Sequence, residues 1–198
     1  SYADSVCNML LEKDRLYIPL HNGMVTCVDL NAWSVLWNSE SFGGQSLSTL
    51  YFYHGYLYGG ATTVYSSYTD GTFYCLDTDT GKTAWTYNDA ENPGGYYWSG
   101  ATVCQDRLYF TGDNGTLVGH DLTTDKVYET VKLSSYPIRA GLICDKENSE
   151  LYTVSNHGTL YKIRISDAGT RPVKSCQLPF ESYINCTSTP TLYNGRLY

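Results

Sequence analysis

Long apolar runs are missing from this chain. Nowhere does it approach the roughly 18 consecutive apolar residues of a membrane-crossing helix. Basic residues are scarce: 13 Lys and Arg stand against 20 Asp and Glu, for a net charge of −7. That balance argues against nucleic acid, which needs a basic footprint, and no Lys/Arg run offers a hold on an anionic membrane. The seven cysteines contain no Cys-x-x-Cys pair. His21, His54, His120 and His157 have no metal-type spacing. Serines are plentiful, but no Gly-x-Ser-x-Gly elbow occurs, so no catalytic residue is assigned. There is no secretion-signal pattern, and the abrupt ends read as those of a piece of a longer polypeptide.

What is abundant is tyrosine, with 20 residues, in a chain that is 42% hydrophobic and 17% charged. This composition suits a globular β protein with a sizeable core. Tyrosine fits half-buried strands and wet recognition surfaces equally well, so the count alone does not choose between them.

Self-similarity is the strongest signal. The dipeptide Leu-Tyr recurs at Leu16, Leu57, Leu108, Leu151 and Leu197, at intervals of 41, 51, 43 and 46 residues. A glycine follows each of the first four, at Gly23, Gly71, Gly115 and Gly158. Asn22, Asp70, Asn114 and His157 precede these glycines, and each pair suits a primed hairpin turn. Six residues on stand Asp29, Asp77 and Asp121, with Arg164 breaking the series. Trp37 and Trp85 lie eight past the aspartate; the third copy has Glu129 there, beside Tyr128. A period in the forties, with about four short strands per unit, predicts an all-β β-propeller.

The stretch from Gly71 to Tyr87 resembles the PQQ-like (quinoprotein-type) propeller repeat: turn glycine, apolar strand ending in Leu76-Asp77, the Thr80-Gly81-Lys82 turn, and a strand with Trp85. Residues 57–87 carry the resemblance most fully, then 16–38 and 108–129; it is weak over 151–178. The blades expected are 5–38, 47–87, 100–132, 139–178 and a half blade at 187–198, with Asn194-Gly195 as its hairpin turn. Such repeats usually close rings of seven or eight blades, so four blades and the first two strands of a fifth read as an arc of a larger ring.

Cysteine reads most simply as a small buried apolar residue, with Cys27 and Cys75 at equivalent positions and Cys7, Cys104 and Cys144 on strands before the Leu-Tyr dipeptides. A Cys176–Cys186 bridge is admissible but has no support of its own. Asp77-Thr78-Asp79-Thr80-Gly81 faintly resembles a calcium loop but lacks its later acidic ligands, so Asp77 is expected to fix its own turn. Asn114-Gly115-Thr116 and Asn185-Cys186-Thr187 match the N-glycosylation pattern.

The candidate surface is aromatic. Second-to-third strand loops and blade crossovers share one propeller face. Tyr65 and Tyr68 fall on such a loop, and Phe42, Tyr96, Tyr97, Trp98, Tyr136, Phe180 and Tyr183 fall on crossovers. Such rings either bind a protein or glycan, or pack between blades. The resemblance implies a non-catalytic scaffold, bacterial, exported or on the cell surface, binding a protein or glycan through this face. The alternatives are a fragment of a quinoprotein dehydrogenase and a scaffold like the outer-membrane-protein assembly factors. The quinoprotein enzymes show adjacent cysteines at pyrroloquinoline quinone and a Glu, Asn and Asp set on calcium. This chain has no Cys-Cys pair, so neither cofactor is expected. Open propeller edges would allow self-association.

Overall fold

The computed structural model describes residues 9–20, 22–44, 46–64, 67–98, 100–179 and 185–198, with backbone alone at 63, 64 and 67–69. Two compact units divide the chain, Ser1–Gly100 and Ala101–Tyr198. Among the described residues there is no helix, and hence none to cross a membrane.

The first unit holds two four-stranded antiparallel sheets in sequential order. Blade one is β1 (Leu10–Glu12), β2 (Arg15–Pro19), β3 (Val25–Asp29) and β4 (Ser34–Asn38). Blade two is β5 (Tyr51–Tyr53), β6 (Tyr56–Val64), β7 (Ser67–Asp77) and β8 (Thr83–Tyr87). In the second unit, blade three is β9 (Ala101–Cys104), β10 (Arg107–Thr111), β11 (Thr116–Asp121) and β12 (Lys126–Lys132). Blade four is β13 (Ile143–Asp145), β14 (Glu150–Val154), β15 (Thr159–Ser166) and β16 (Gly169–Gln177). A two-stranded hairpin follows, β17 (Leu192–Tyr193) and β18 (Arg196–Leu197). The β-propeller blades expected from the repeat are therefore present: four complete, and the first two strands of a fifth.

Core side chains lie between blades, because each sheet buries both faces. In the first unit Tyr17, Val25, Cys27 and Trp37 of blade one meet Leu57, Ala61, Tyr74 and Leu76 of blade two. In the second, Tyr109 and Leu117 of blade three meet Leu151, Ile163 and Ile165 of blade four.

The turns partly correct the sequence expectation. Asn194 and Gly195 both have positive φ (47° and 69°), as a primed two-residue turn requires. At Gly23, Gly115 and Gly158 only the glycine does (75°, 71° and 79°). Its N–H returns to the carbonyl three residues back, at Leu20, Gly112 and Ser155. These are type I turns closed by a glycine bulge, not primed turns. Gly71 is not in a turn at all. It pairs with Thr62 in mid-strand, and β6 and β7 run on until Val64 pairs with Ser67, so the loop expected at 62–69 is mostly hairpin. A Cβ on Gly71 would collide with the Ala61 carbonyl and press on Gly95 at 3.0 Å; close packing, not φ, demands glycine here.

Asp77 does fix its own turn. Its Oδ1 accepts from the Thr80 hydroxyl (2.7 Å) and from the backbone N–H of Thr80 (2.8 Å) and Asp79 (3.1 Å). Asp29 accepts from Asn31 and Ala32, and Asp121 from Thr123 and Thr124, in the same way. These donors hold all three carboxyls below the usual aspartate range.

Cysteine needs one correction. Cys27 and Cys75 are buried, as expected, but Cys104 and Cys144 form a disulfide between β9 and β13, with Cα atoms 5.8 Å apart. The innermost strands of neighbouring blades run side by side, which the sequence spacing does not disclose. Cys176 and Cys186 are both free. Cys7 lies outside the described residues.

Candidate functional site

The nine aromatic residues do not form one exposed rim. Phe42 is buried and stacks on Tyr74, ring centroids 4.4 Å apart. Tyr96 is 0% exposed and meets Phe73 and Tyr87 edge-on at 6.3 and 5.9 Å. Its backbone presses so closely on blade two that a Cβ on Gly60 would collide with it. Tyr97 is buried too, and its carbonyl accepts from Leu47 N–H at 2.7 Å. The expectation of exposed rings at Phe42, Tyr96 and Tyr97 is thus overturned. The glycines of β6 and β7 let the crossover settle onto the sheet, and burial removes these rings from water. Trp98 is half-buried beside Tyr97, at 5.6 Å. Tyr65, Phe180 and Tyr183, and the side chain of Tyr68, lie outside what the structure describes.

Tyr136 does present its ring. It is 47% exposed and stacks on His157, centroids 4.3 Å apart and planes 12° off parallel. The two rings come from the blade three-to-four crossover and from the β14–β15 turn. In the same crossover Arg139 forks onto Asp113, Nε to Oδ1 and NH2 to Oδ2, both 3.0 Å. Lys132 donates to the carbonyl of Asn114 in the adjoining turn. The two stacked rings form a flat aromatic platform, suited to stacking against a planar or apolar partner group.

Sequence reasoning missed the arginine latches. Arg15 donates to Thr78 O (2.9 Å) and Asp79 Oδ1 (2.7 Å) in the β7–β8 turn of the next blade. Arg107 donates to Ser166 O at the end of β15 (3.3 Å) and lies over the Tyr128 ring at 4.3 Å. Arginine directly before Leu16 and Leu108 was the available signal. Buried Glu150 also escaped notice; it accepts from Lys162 (2.6 Å), Tyr152 (2.8 Å) and Arg164 (3.2 Å).

Among the described residues, no group of three or more His, Cys, Asp and Glu is placed to hold a metal ion. His120 faces Asp125 at 3.0 Å, and His54 stacks on Tyr53. The residues present do not fit pyrroloquinoline quinone: the disulfide joins cysteines 40 positions apart, not neighbours.

Four-stranded blades with buried seams define a β-propeller scaffold. Its blades are similar to the PQQ-like repeat. Residues 2–87 match the family model described as outer membrane protein assembly factor BamB. Solved structures resemble it at 13–16% identity, which shows the fold alone. The computationally designed Ika8 protein aligns with a TM-score of 0.72 at 13% identity, over 94% of this chain and 52% of that one. This chain therefore spans about half the length of Ika8. The designed Ika4 protein aligns at 0.63 and 14% identity, over 81% of this chain and 91% of its own. BamB from Moraxella catarrhalis aligns at 0.56 and 16% identity, over 96% and 67%. A search of curated proteins finds no match.

Proposed function

We propose that this chain is part of an extracytoplasmic propeller scaffold that binds a partner protein through its loop face, in the manner of an assembly factor. The match of residues 2–87 to an assembly-factor family carries this reading. The Cys104–Cys144 disulfide supports the compartment, since such bonds persist where the surroundings are oxidising. The Tyr136–His157 platform supports the contact, because exposed stacked rings are typical anchors at protein interfaces. A glycan is the competing ligand for the same platform.

A photo-crosslinking residue beside Tyr136 tests the choice. In the native envelope fraction, one dominant protein adduct that Tyr136→Ala abolishes is expected. Binding of labelled glycans without a protein adduct would overturn the protein reading.

A further inference from the structure

Three turns carry the dipeptide Asn-Gly: Asn22-Gly23 in blade one, Asn114-Gly115 in blade three and Asn194-Gly195 in the last hairpin. The pair has a chemistry of its own. The glycine has no Cβ, so its backbone nitrogen can reach the asparagine side-chain carbonyl and close a ring on it. That step needs both groups unoccupied and room for the chain to turn. The three sites differ in each respect.

At Gly23 and Gly115 the attacking nitrogen is already engaged. Its N–H donates to Leu20 O at 3.1 Å and to Gly112 O at 2.9 Å. The asparagine side chains are engaged as well. Asn22 Oδ1 accepts from Met24 N–H at 3.2 Å, and Asn114 Oδ1 accepts from the N–H (3.2 Å) and hydroxyl (2.6 Å) of Thr116. Both glycines are buried, with the Gly43 and Ser134 carbonyl oxygens 3.0 and 2.1 Å from where a Cβ would stand. Asn194 and Gly195 have none of this protection. Both are exposed, and a Cβ on Gly195 would meet nothing within 4 Å. Among the described residues no hydrogen bond engages the Asn194 side chain or the Gly195 N–H. Asn194 also holds a φ of 47°, which glycine adopts freely and asparagine at a cost, so opening the turn releases strain.

The exposure belongs to the place of this turn in a blade. The turns between the first and second strands of the four complete blades are open to solvent in the same way, at Asp14, His54, Asp106 and Asn148.

We infer that Asn194 is a site of spontaneous deamidation, where the side-chain amide is exchanged for a carboxyl group without an enzyme. The Gly195 nitrogen gives its proton to solvent base and bonds to Asn194 Cγ. The Cγ–Nδ2 bond breaks, and ammonia leaves with a proton from water. The five-membered imide then takes up one water molecule. Opening at the Cγ–N bond gives aspartate; opening at the backbone C–N bond gives isoaspartate. Either product adds one negative charge. Isoaspartate also puts an extra methylene into the main chain, so a two-residue turn no longer fits the Tyr193–Arg196 pair.

The test is incubation of the whole folded chain in mildly alkaline buffer made with heavy-oxygen water. Proteolysis in ordinary water and mass spectrometry of the three Asn-Gly peptides follow, so that only conversion during the incubation carries label. Asn194 is expected to convert at least about tenfold faster than Asn22 and Asn114, the protection that retained hydrogen bonds give those two. In a parallel sample held in denaturant the three sites react at similar rates. Asn194→Gln, which would have to close a six-membered ring, loses the labelled product at this position and leaves the other two unchanged. Equal rates at the three sites of the folded chain overturn the inference. So does an Asn194 that reacts only in denaturant, which would mean that the turn protects it.

Discussion

The seam between blades one and two and the seam between blades three and four solve one packing problem with different chemistry. Both use an arginine at the start of the second strand to grip the next blade's outer turn. The first seam adds Trp37, whose indole covers Gly81 and donates to Thr78 O at 3.0 Å. The second has Glu129 instead; its Oε2 accepts from Thr170 N–H at 2.8 Å, and its Oε1 is buried without a hydrogen-bond partner. A carboxylate gives up most of the apolar area of an indole and adds a desolvation cost. The first seam keeps two buried thiols, Cys27 and Cys75, whereas the second is bridged by Cys104–Cys144. The weaker side-chain seam is the one that carries the covalent tie.

Breaking the tie is therefore the sharpest test of the comparison. Closing a loop with a sequence separation of 40 stabilises a fold by about 4 kcal/mol on the chain-entropy account. Reduction, or Cys104→Ser with Cys144→Ser, is expected to lower the stability of Ala101–Tyr198 by an amount of that order and to leave Ser1–Gly100 nearly unchanged. Hydrogen exchange along a denaturant series reads the two units separately. Equal loss in both units would show that the bridge does not compensate for a local weakness.

The side chains come next. Trp37→Ala removes a buried indole and its hydrogen bond, at a cost of about 3 kcal/mol in the first unit. Glu129→Ala loses one hydrogen bond but relieves an unsatisfied buried oxygen, so about 1 kcal/mol is expected in the second. Denaturation midpoints for the two variants check the ratio. A Glu129→Ala effect as large as that of Trp37→Ala would mean that the carboxylate is a full substitute for tryptophan.

The repeat made the blades legible because strand spacing, turn glycines and the recurring aspartate are local features. Asp29, Asp77 and Asp121 act within a few residues of themselves, so pattern alone assigns them a turn role. The disulfide was not legible, because Cys104 and Cys144 meet only once two blades lie side by side. Exposure was not legible either. Tyr96 and Tyr136 both sit on crossovers, but Gly60 and Gly71 draw the first into blade two while the second stacks outward on His157. Trp33 drew no notice as a sequence letter; its positive φ, at the position Gly81 and Asp125 hold in the next two blades, shows only in the structure.

The smallest effect concerns Glu150, which gives blade four an acid-sensitive element among the described seams. Burial alone would raise its pKa, but hydrogen bonds from Lys162, Tyr152 and Arg164 together outweigh that and hold it below the usual glutamate range. A carboxyl with a depressed folded-state pKa adds stability at pH values above its unfolded value of about 4.3. That stability drains away as pH falls through the lower folded value. The cations are partly solvated, so the gain is about 1 kcal/mol at neutral pH. Glu150→Gln keeps the shape and loses the charge. Its melting temperature should therefore lie below that of the wild type at neutral pH, with the two curves converging as acid titrates the native carboxylate. Curves that stay parallel down to about pH 3 would mean that the hydrogen-bond geometry, not the charge, holds this corner of the blade.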